Sequence, residues 1–208
     1  MTTAADSFHQ IATVRIELEG SDPLIWRQVE VPTSVTLRTL HDIIQGTMGW
    51  FDYHLWEFTI AEHRYGLPMD EDWGTEPRAD ASKVRLRDLL RQPVTTGKYI
   101  YDFGDDWEHR LTFTGVRTGD ASLSYPRYIG GAQNCPPEDC GGIPGFYETL
   151  DAATDPEHEN HDEAKQWLED YDPNEIDELP IKYALLRIAN KRNAAKARLA
   201  KKKREPTG

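Results

Sequence analysis

The chain predicts an α+β fold: a mainly antiparallel sheet, one helix across a face, and C-terminal helices packed beside it. Three observations carry this. Segments whose apolar residues recur every second position are spread between residues 12 and 114, separated by turn formers. One stretch, 37–48, has its apolar residues at helical spacing instead. Beyond residue 145 the spacing is helical wherever it is periodic.

The elements follow in order. Ala12, Val14, Ile16 and Leu18 alternate with Thr13, Arg15, Glu17 and Glu19, the pattern of a half-buried strand. Gly20-Ser21-Asp22-Pro23 turns the chain. Residues 25–31 return as a strand that Pro32 stops, with Trp26 on the face away from Ile25, Val29 and Val31. Thr36 is an N-cap and Gly49 a C-cap for a helix whose stripe is Leu37, Leu40, Ile44 and Met48. His41 falls one residue off that stripe and reads as a partly exposed helix-side histidine. After the aromatic turn Trp50-Phe51-Asp52-Tyr53, a strand carries His54, Trp56, Phe58 and Ile60 on one face. A short partner ends at Tyr65-Gly66. Residues 67–82 read as a surface loop, and Val84, Leu86, Leu89 and Leu90 as a short helix.

Next comes a hairpin. Tyr99, Tyr101 and Phe103 share one face; after Gly104-Asp105-Asp106, Trp107, His109, Leu111 and Phe113 share one face of the returning strand. A histidine on an apolar face needs a hydrogen-bond partner, and Asp102 and Asp105 are the candidates at the hairpin end. The plainer reading of His109 is a residue that pins the turn; the other is acid/base or ligand chemistry. Residues 120–145 are irregular but anchored by aromatics and prolines. Phe146–Ala153 forms a short helix, and Asp155-Pro156 opens another with Ala164, Trp167, Leu168 and Tyr171 buried. In the last helix Ile181, Leu185, Ile188, Ala195 and Leu199 make a stripe that Arg192 interrupts.

Composition limits the function. The 208 residues carry a net charge of −12, but ten of the 24 Lys and Arg fall after residue 181, beside one acid, Glu205. The acidic remainder repels phosphate backbones. Only the tail residues Lys191, Arg192, Lys196, Arg198, Lys201, Lys202, Lys203 and Arg204 are nucleic-acid candidates, and they lack interleaved aromatics for base stacking. No apolar run is long enough to span a membrane, and residues 1–10 do not read as a secretory signal. Two cysteines fit a reducing, cytoplasmic setting.

Cys135 and Cys140 have the spacing of half a zinc site. The other half would have to come through the fold, from His54, His109, His158, His161 or Asp139. A reduced packed loop and a local disulfide are the competing readings. Asp70, Glu71 and Asp72 could hold a divalent ion, though acidic loop runs are usually solvated. Asp102-Phe103-Gly104 lacks the rest of a kinase motif set. No metal ligand set, catalytic residue or cofactor is assigned.

Five stretches occur in order: Pro23-Leu-Ile-Trp-Arg, Thr36-Leu-Arg-Thr-Leu-His, Met48-Gly-Trp-Phe-Asp-Tyr-His-Leu-Trp-Glu-Phe, Tyr101-Asp-Phe-Gly-Asp-Asp-Trp-Glu-His and Cys135-Pro-Pro-Glu-Asp-Cys-Gly-Gly. Together they resemble the plasmid pRiA4b ORF-3-like family. The resemblance implies a compact α+β domain, here over 8–175, with 176–208 as a helix running into a basic tail. It also implies a bacterial setting near plasmids or mobile elements. Where the family usually has a second His, this chain has Trp56; where it usually has Asp-Gly, this chain has Asp105-Asp106. The function expected is a cytoplasmic, non-enzymatic interaction module. Its binding surface would hold His54, Asp102, Asp105, Trp107, His109, Cys135 and Cys140, with the two histidines near its rim. The alternatives are a His/Asp-dependent, metal-assisted hydrolase and nucleic-acid binding through the tail.

Overall fold

The structure, a computed structural model, describes residues 10–68, 78–90 and 95–204. The acidic run at 70–72 lies outside these. The chain runs β1 (Gln10–Leu18), β2 (Trp26–Pro32), α1 (Leu37–Met48), β3 (Trp56–Ile60), β4 (His63–Gly66), β5 (Ala79–Asp80), α2 (Leu86–Leu89), β6 (Thr95–Tyr101), β7 (Trp107–Thr118), β8 (Arg127–Ala132), α3 (Gly142–Thr154), α4 (His161–Leu168) and α5 (Glu178–Arg204). One eight-stranded sheet has the order β5-β4-β3-β6-β7-β1-β2-β8. Every pairing is antiparallel except β4 with β5. The α+β architecture is the one the periodicities predict.

The alternation of each strand decides its two faces. Val14, Ile16 and Leu18 of β1, Val29 and Val31 of β2, Trp56, Phe58 and Ile60 of β3, Tyr99 and Tyr101 of β6, and Trp107, Leu111 and Phe113 of β7 all point inward. Burial of that apolar surface is the main stabilising term. The other face is charged: Glu17 pairs with Arg15 and Arg110 at 2.7 and 2.9 Å, and Lys98 with Glu108 at 2.5 Å.

α1 lies on the inner face. Its Thr36 cap accepts the Thr39 N–H, and Gly49 ends it in the left-handed region at φ 83°. α5 lies along α1 and β8, burying Ile181, Leu185 and Ala189. The approach is close, since a Cβ on Gly46 would lie 3.0 Å from Ala184 Cβ. Arg27 fixes the junction. It is 1% exposed, and its guanidinium donates to the carbonyls of Thr47, Trp26, Ala132 and Gln133 at 2.8–3.1 Å.

Some expectations are corrected. β8 is an edge strand where an irregular segment was expected, because Arg-Tyr-Ile-Gly-Gly-Ala has no alternation to reveal it. Asp155-Pro156 opens a turn, not a helix. The Asp155 carboxylate and carbonyl accept the Glu157 and His158 N–H groups, and α4 begins only at His161. Trp167 is exposed, so the buried stripe of α4 is Ala164 and Leu168. His54 precedes β3 rather than lying in it.

Candidate functional site

The site is a corner built by the end of α1, the 50–55 loop, the tip of the β6–β7 hairpin and the 134–141 loop. The C-cap at Gly49 throws Trp50, Phe51, Asp52 and Tyr53 into a short turn. Three successive amides of that turn are held by side chains from three different elements. Phe51 N–H donates to Glu138 Oε2 at 2.8 Å, Asp52 N–H to Gln45 Oε1 at 3.0 Å, and Tyr53 N–H to the Tyr101 hydroxyl at 3.0 Å. Trp50 Nε1 donates to the Pro136 carbonyl at 2.9 Å.

Behind the turn is a closed ring of polar groups. Gln45 Nε2 donates to the Tyr99 hydroxyl at 3.1 Å, which lies 2.8 Å from His41 Nδ1; His41 Nε2 lies 2.8 Å from Asp52 Oδ1. With the His41 proton on Nε2 every donor meets an acceptor, and the Asp52 N–H to Gln45 bond closes the ring. Arg38 holds the other Asp52 oxygen at 2.7 Å. His41 is fully buried and stacks on Trp56 at 4.1 Å. Burial lowers its pKa to about 4, with the Asp52 charge opposing. The partly exposed helix-side histidine expected at 41 is thus a core residue. It lies four positions after Leu37, on the shoulder of the apolar stripe, where Trp56, Tyr99 and Tyr101 of the sheet still cover it.

A second lock joins Glu138 to the sheet. The Tyr101 hydroxyl donates to Glu138 Oε1 in a short contact. Burial first, and the Glu138 carboxylate second, raise the Tyr101 pKa, so it stays a donor.

The hairpin tip carries three carboxylates. Asp102 and Asp106 take left-handed backbone at φ 56° and 55°, which Asp accepts better than most residues. That is how the tip closes with Asp105-Asp106 ahead of Trp107. Asp102 Oδ1 accepts the Gly104 N–H at 2.8 Å, and Asp105 Oδ2 accepts the Gly141 N–H at 3.2 Å. His54 Nε2 lies 3.0 Å from Asp139 Oδ1 and 3.5 Å from Asp102 Oδ2. It is shielded from solvent yet makes a hydrogen bond to neither. Three ligand-type atoms therefore converge there. The set His41, Asp42 and Asp52 also clusters, but its histidine is fully used and Arg38 occupies it.

The structure brings His54, Asp102, Asp105 and Cys140 to this corner and leaves the other expected residues beneath it. Trp107 and His109 are both 0% exposed, so neither is at a rim. His109 is not partnered by Asp102 or Asp105. Its Nδ1 bonds the Trp107 carbonyl at 3.0 Å, and Trp50 lies edge-on at 5.4 Å. Burial lowers its pKa to about 4. Cys135 is buried, and both cysteines are free thiols. Burial pushes each thiol up to about 12, the reverse of what a nucleophile needs. His161 Nδ1 bonds the Ala152 carbonyl, and His158 Nδ1 accepts the Asn160 N–H; His158 lines a cleft with Cys140 and Asp139, but no ligand set joins the histidines to the cysteines among the described residues.

What the corner presents outward is aromatic. Phe51 and Tyr53 are 70% and 73% exposed and stack on each other at 5.6 Å. Leu55 and Phe103 are exposed nearby. Phe51 also edges a cleft of about 680 Å³ in whose lining Asp170, Asp172, Glu175 and Asp177 outnumber Arg27 and Arg187, leaving it net acidic. Sequence reasoning noticed the aromatic turn but not Glu138, Gln45 or Asp52. The available signal was four consecutive bulky or acidic residues placed directly after a helix-ending glycine.

The comparisons bear on the whole arrangement. The family model for the plasmid pRiA4b ORF-3-like protein matches residues 10–179. The uncharacterized protein y4hQ of Sinorhizobium fredii is 38% identical over 169 residues, covering 78% of this chain and 84% of that one. The crystal structure of a protein of unknown function, MM3350 from Methanosarcina mazei Go1, superposes with a TM-score of 0.74 at 31% identity. It covers 82% of this chain and 96% of the other. No described helix is long and apolar enough to cross a membrane. The chain belongs to the plasmid pRiA4b ORF-3-like family.

Proposed function

We propose that this protein is a non-enzymatic, cytoplasmic interaction module of plasmid or mobile-DNA biology whose partner docks on the aromatic corner. The observation that carries this is the exposure of Phe51 and Tyr53 on a turn whose three successive amides are fixed by Glu138, Gln45 and Tyr101. Exposed aromatics on a fixed turn bind with little ordering cost, the property of interface anchors. The acidic cleft at Phe51 favours a partner segment with an apolar anchor flanked by Lys or Arg.

The test compares crosslinked partners of the wild-type chain with those of the Phe51→Ala/Tyr53→Ala double variant. A Lys98→Ala/Glu108→Ala variant on the opposite sheet face serves as control. Partners lost only from the corner variant, with its thermal unfolding unchanged, support the reading. An identical partner set from a folded corner variant overturns it.

The hydrolase alternative has one observation in its favour, the convergence of His54 Nε2 with the Asp102 and Asp139 carboxylates. A zinc or manganese ion there would be a Lewis acid with open positions. Titration of the metal-free protein, monitored by calorimetry, should show one site that His54→Ala abolishes. Absence of saturable binding removes this reading.

A further inference from the structure

A second cleft adjoins the one at Phe51 along α5, sharing Ala184 and Arg187 with it. It opens between α5 and the start of α1 and holds about 640 Å³, a volume within the usual range for small-ligand pockets. Its apolar floor includes Val35, Ala184 and Ile188. Around it stand five cations, Arg85, Arg187, Lys191, Arg192 and Lys196, and one acid, Asp42. Asp42 is engaged by Arg38 at 3.3 Å. None of the five cations has a carboxylate within ion-pair distance among the described residues.

That lack of pairing needs a reason in a chain with 36 acids and 24 bases. Arg85 Nη1 donates to the Ser34 carbonyl at 2.6 Å, and Arg192 Nη2 to the Ser34 hydroxyl in a short contact, so both guanidiniums are positioned by the same residue. Burial, and then the neighbouring cation, lowers the pKa of Arg192 and of Lys196. Holding like charges together around a concave surface is unfavourable until an anion enters. Guanidinium forks match phosphate oxygens, and the apolar floor would take the rest of such a molecule.

We infer that this cleft is a binding site for a small phosphorylated molecule with an apolar or planar body, of nucleotide size. The interruption of the α5 apolar stripe at Arg192 is then the point where the helix turns from packing to binding. Arg192 and Lys196 are half-buried in the cleft while Arg85, Arg187 and Lys191 stand exposed at its edge, and the site divides the basic tail. Lys191, Arg192 and Lys196 line the cleft. Arg198 and Lys201 are exposed beyond it, and the side chains of Lys202, Lys203 and Arg204 lie outside the described part.

Calorimetric titration of the full chain with inorganic phosphate, AMP and ATP tests this, with a short single-stranded oligonucleotide as the contrasting probe. AMP or ATP should bind one site more tightly than phosphate alone. Arg192→Ala should weaken that binding by at least about tenfold. Lys196→Glu, a more exposed position, should weaken it similarly while leaving thermal unfolding in place. No saturation by any phosphate probe at millimolar concentration, or equal affinity in folded variants, overturns the inference. So does binding of the oligonucleotide alone that survives Lys196→Glu and is lost on removing residues 198–208.

Discussion

Two histidines carry the most specific chemistry at the scale of single residues, and both are held neutral. His41 and His109 have their pKa values lowered by burial from the ordinary 6.5 to about 4. A group whose folded pKa is depressed stabilises the protein above the unfolded value and loses that contribution as pH falls toward the folded one. Stability should therefore be full above pH 6.5 and fall between 6.5 and 4. The slope from each histidine approaches about 1.4 kcal/mol per pH unit. Urea unfolding at intervals across this range measures it, and His109→Leu should flatten the slope. A profile unchanged by that substitution would contradict the assignment. Tyr99→Phe should cost about 2 kcal/mol, because Gln45 Nε2 and His41 Nδ1 both lose their partner. His109 was legible as an inward residue from strand alternation alone. His41 was not, since helical spacing defines a stripe and says nothing of which side chains of the facing sheet reach past its edge, as Trp56 and Tyr99 do here. Arg27 shows the same limit in a strand. Alternation places it inward with Ile25 and Val29, but only the fold supplies the four carbonyls that make this tolerable.

Between elements, long-range hydrogen bonds and close backbone approaches decide the geometry. Arg27 joins the end of α1 to β2 and to the segment after β8, so Arg27→Met should destabilise by about 2–4 kcal/mol in chemical denaturation as those carbonyls lose a buried donor. Gly142, the first residue of α3, packs on the hairpin tip next to the Gly141–Asp105 hydrogen bond. It has φ 69°, and a Cβ there would lie 2.2 Å from the Asp105 carbonyl oxygen. Gly142→Ala should therefore push the loop off the tip and loosen His54 from Asp139, readable as shifted His54 ring resonances. Unshifted resonances would mean the contact is slack. α1 was legible from Thr36 to Gly49 because capping residues and an apolar stripe agree. β8 and the start of α4 were not, because one strand lacks alternation and an Asp-Pro pair suits a turn as well as a helix start.

For the whole molecule, the division of labour follows from the two faces of one sheet. The charged face is paired within itself, while the covered face builds α1, the polar ring and the aromatic turn on a single core. Fold class was readable in the sequence because period-two and helical segments separate cleanly along the chain. The corner was only partly readable, because its members come from positions as far apart as Arg38 and Asp139. The three amide hydrogen bonds to Glu138, Gln45 and Tyr101 make the Phe51–Tyr53 surface rigid before any partner arrives. Native-state hydrogen exchange at the amides of Phe51, Asp52 and Tyr53 tests it most directly. Protection well above that of an open loop is expected, with the Phe51 amide losing it selectively in Glu138→Ala. Exchange of all three at unstructured rates in the wild-type protein would contradict it.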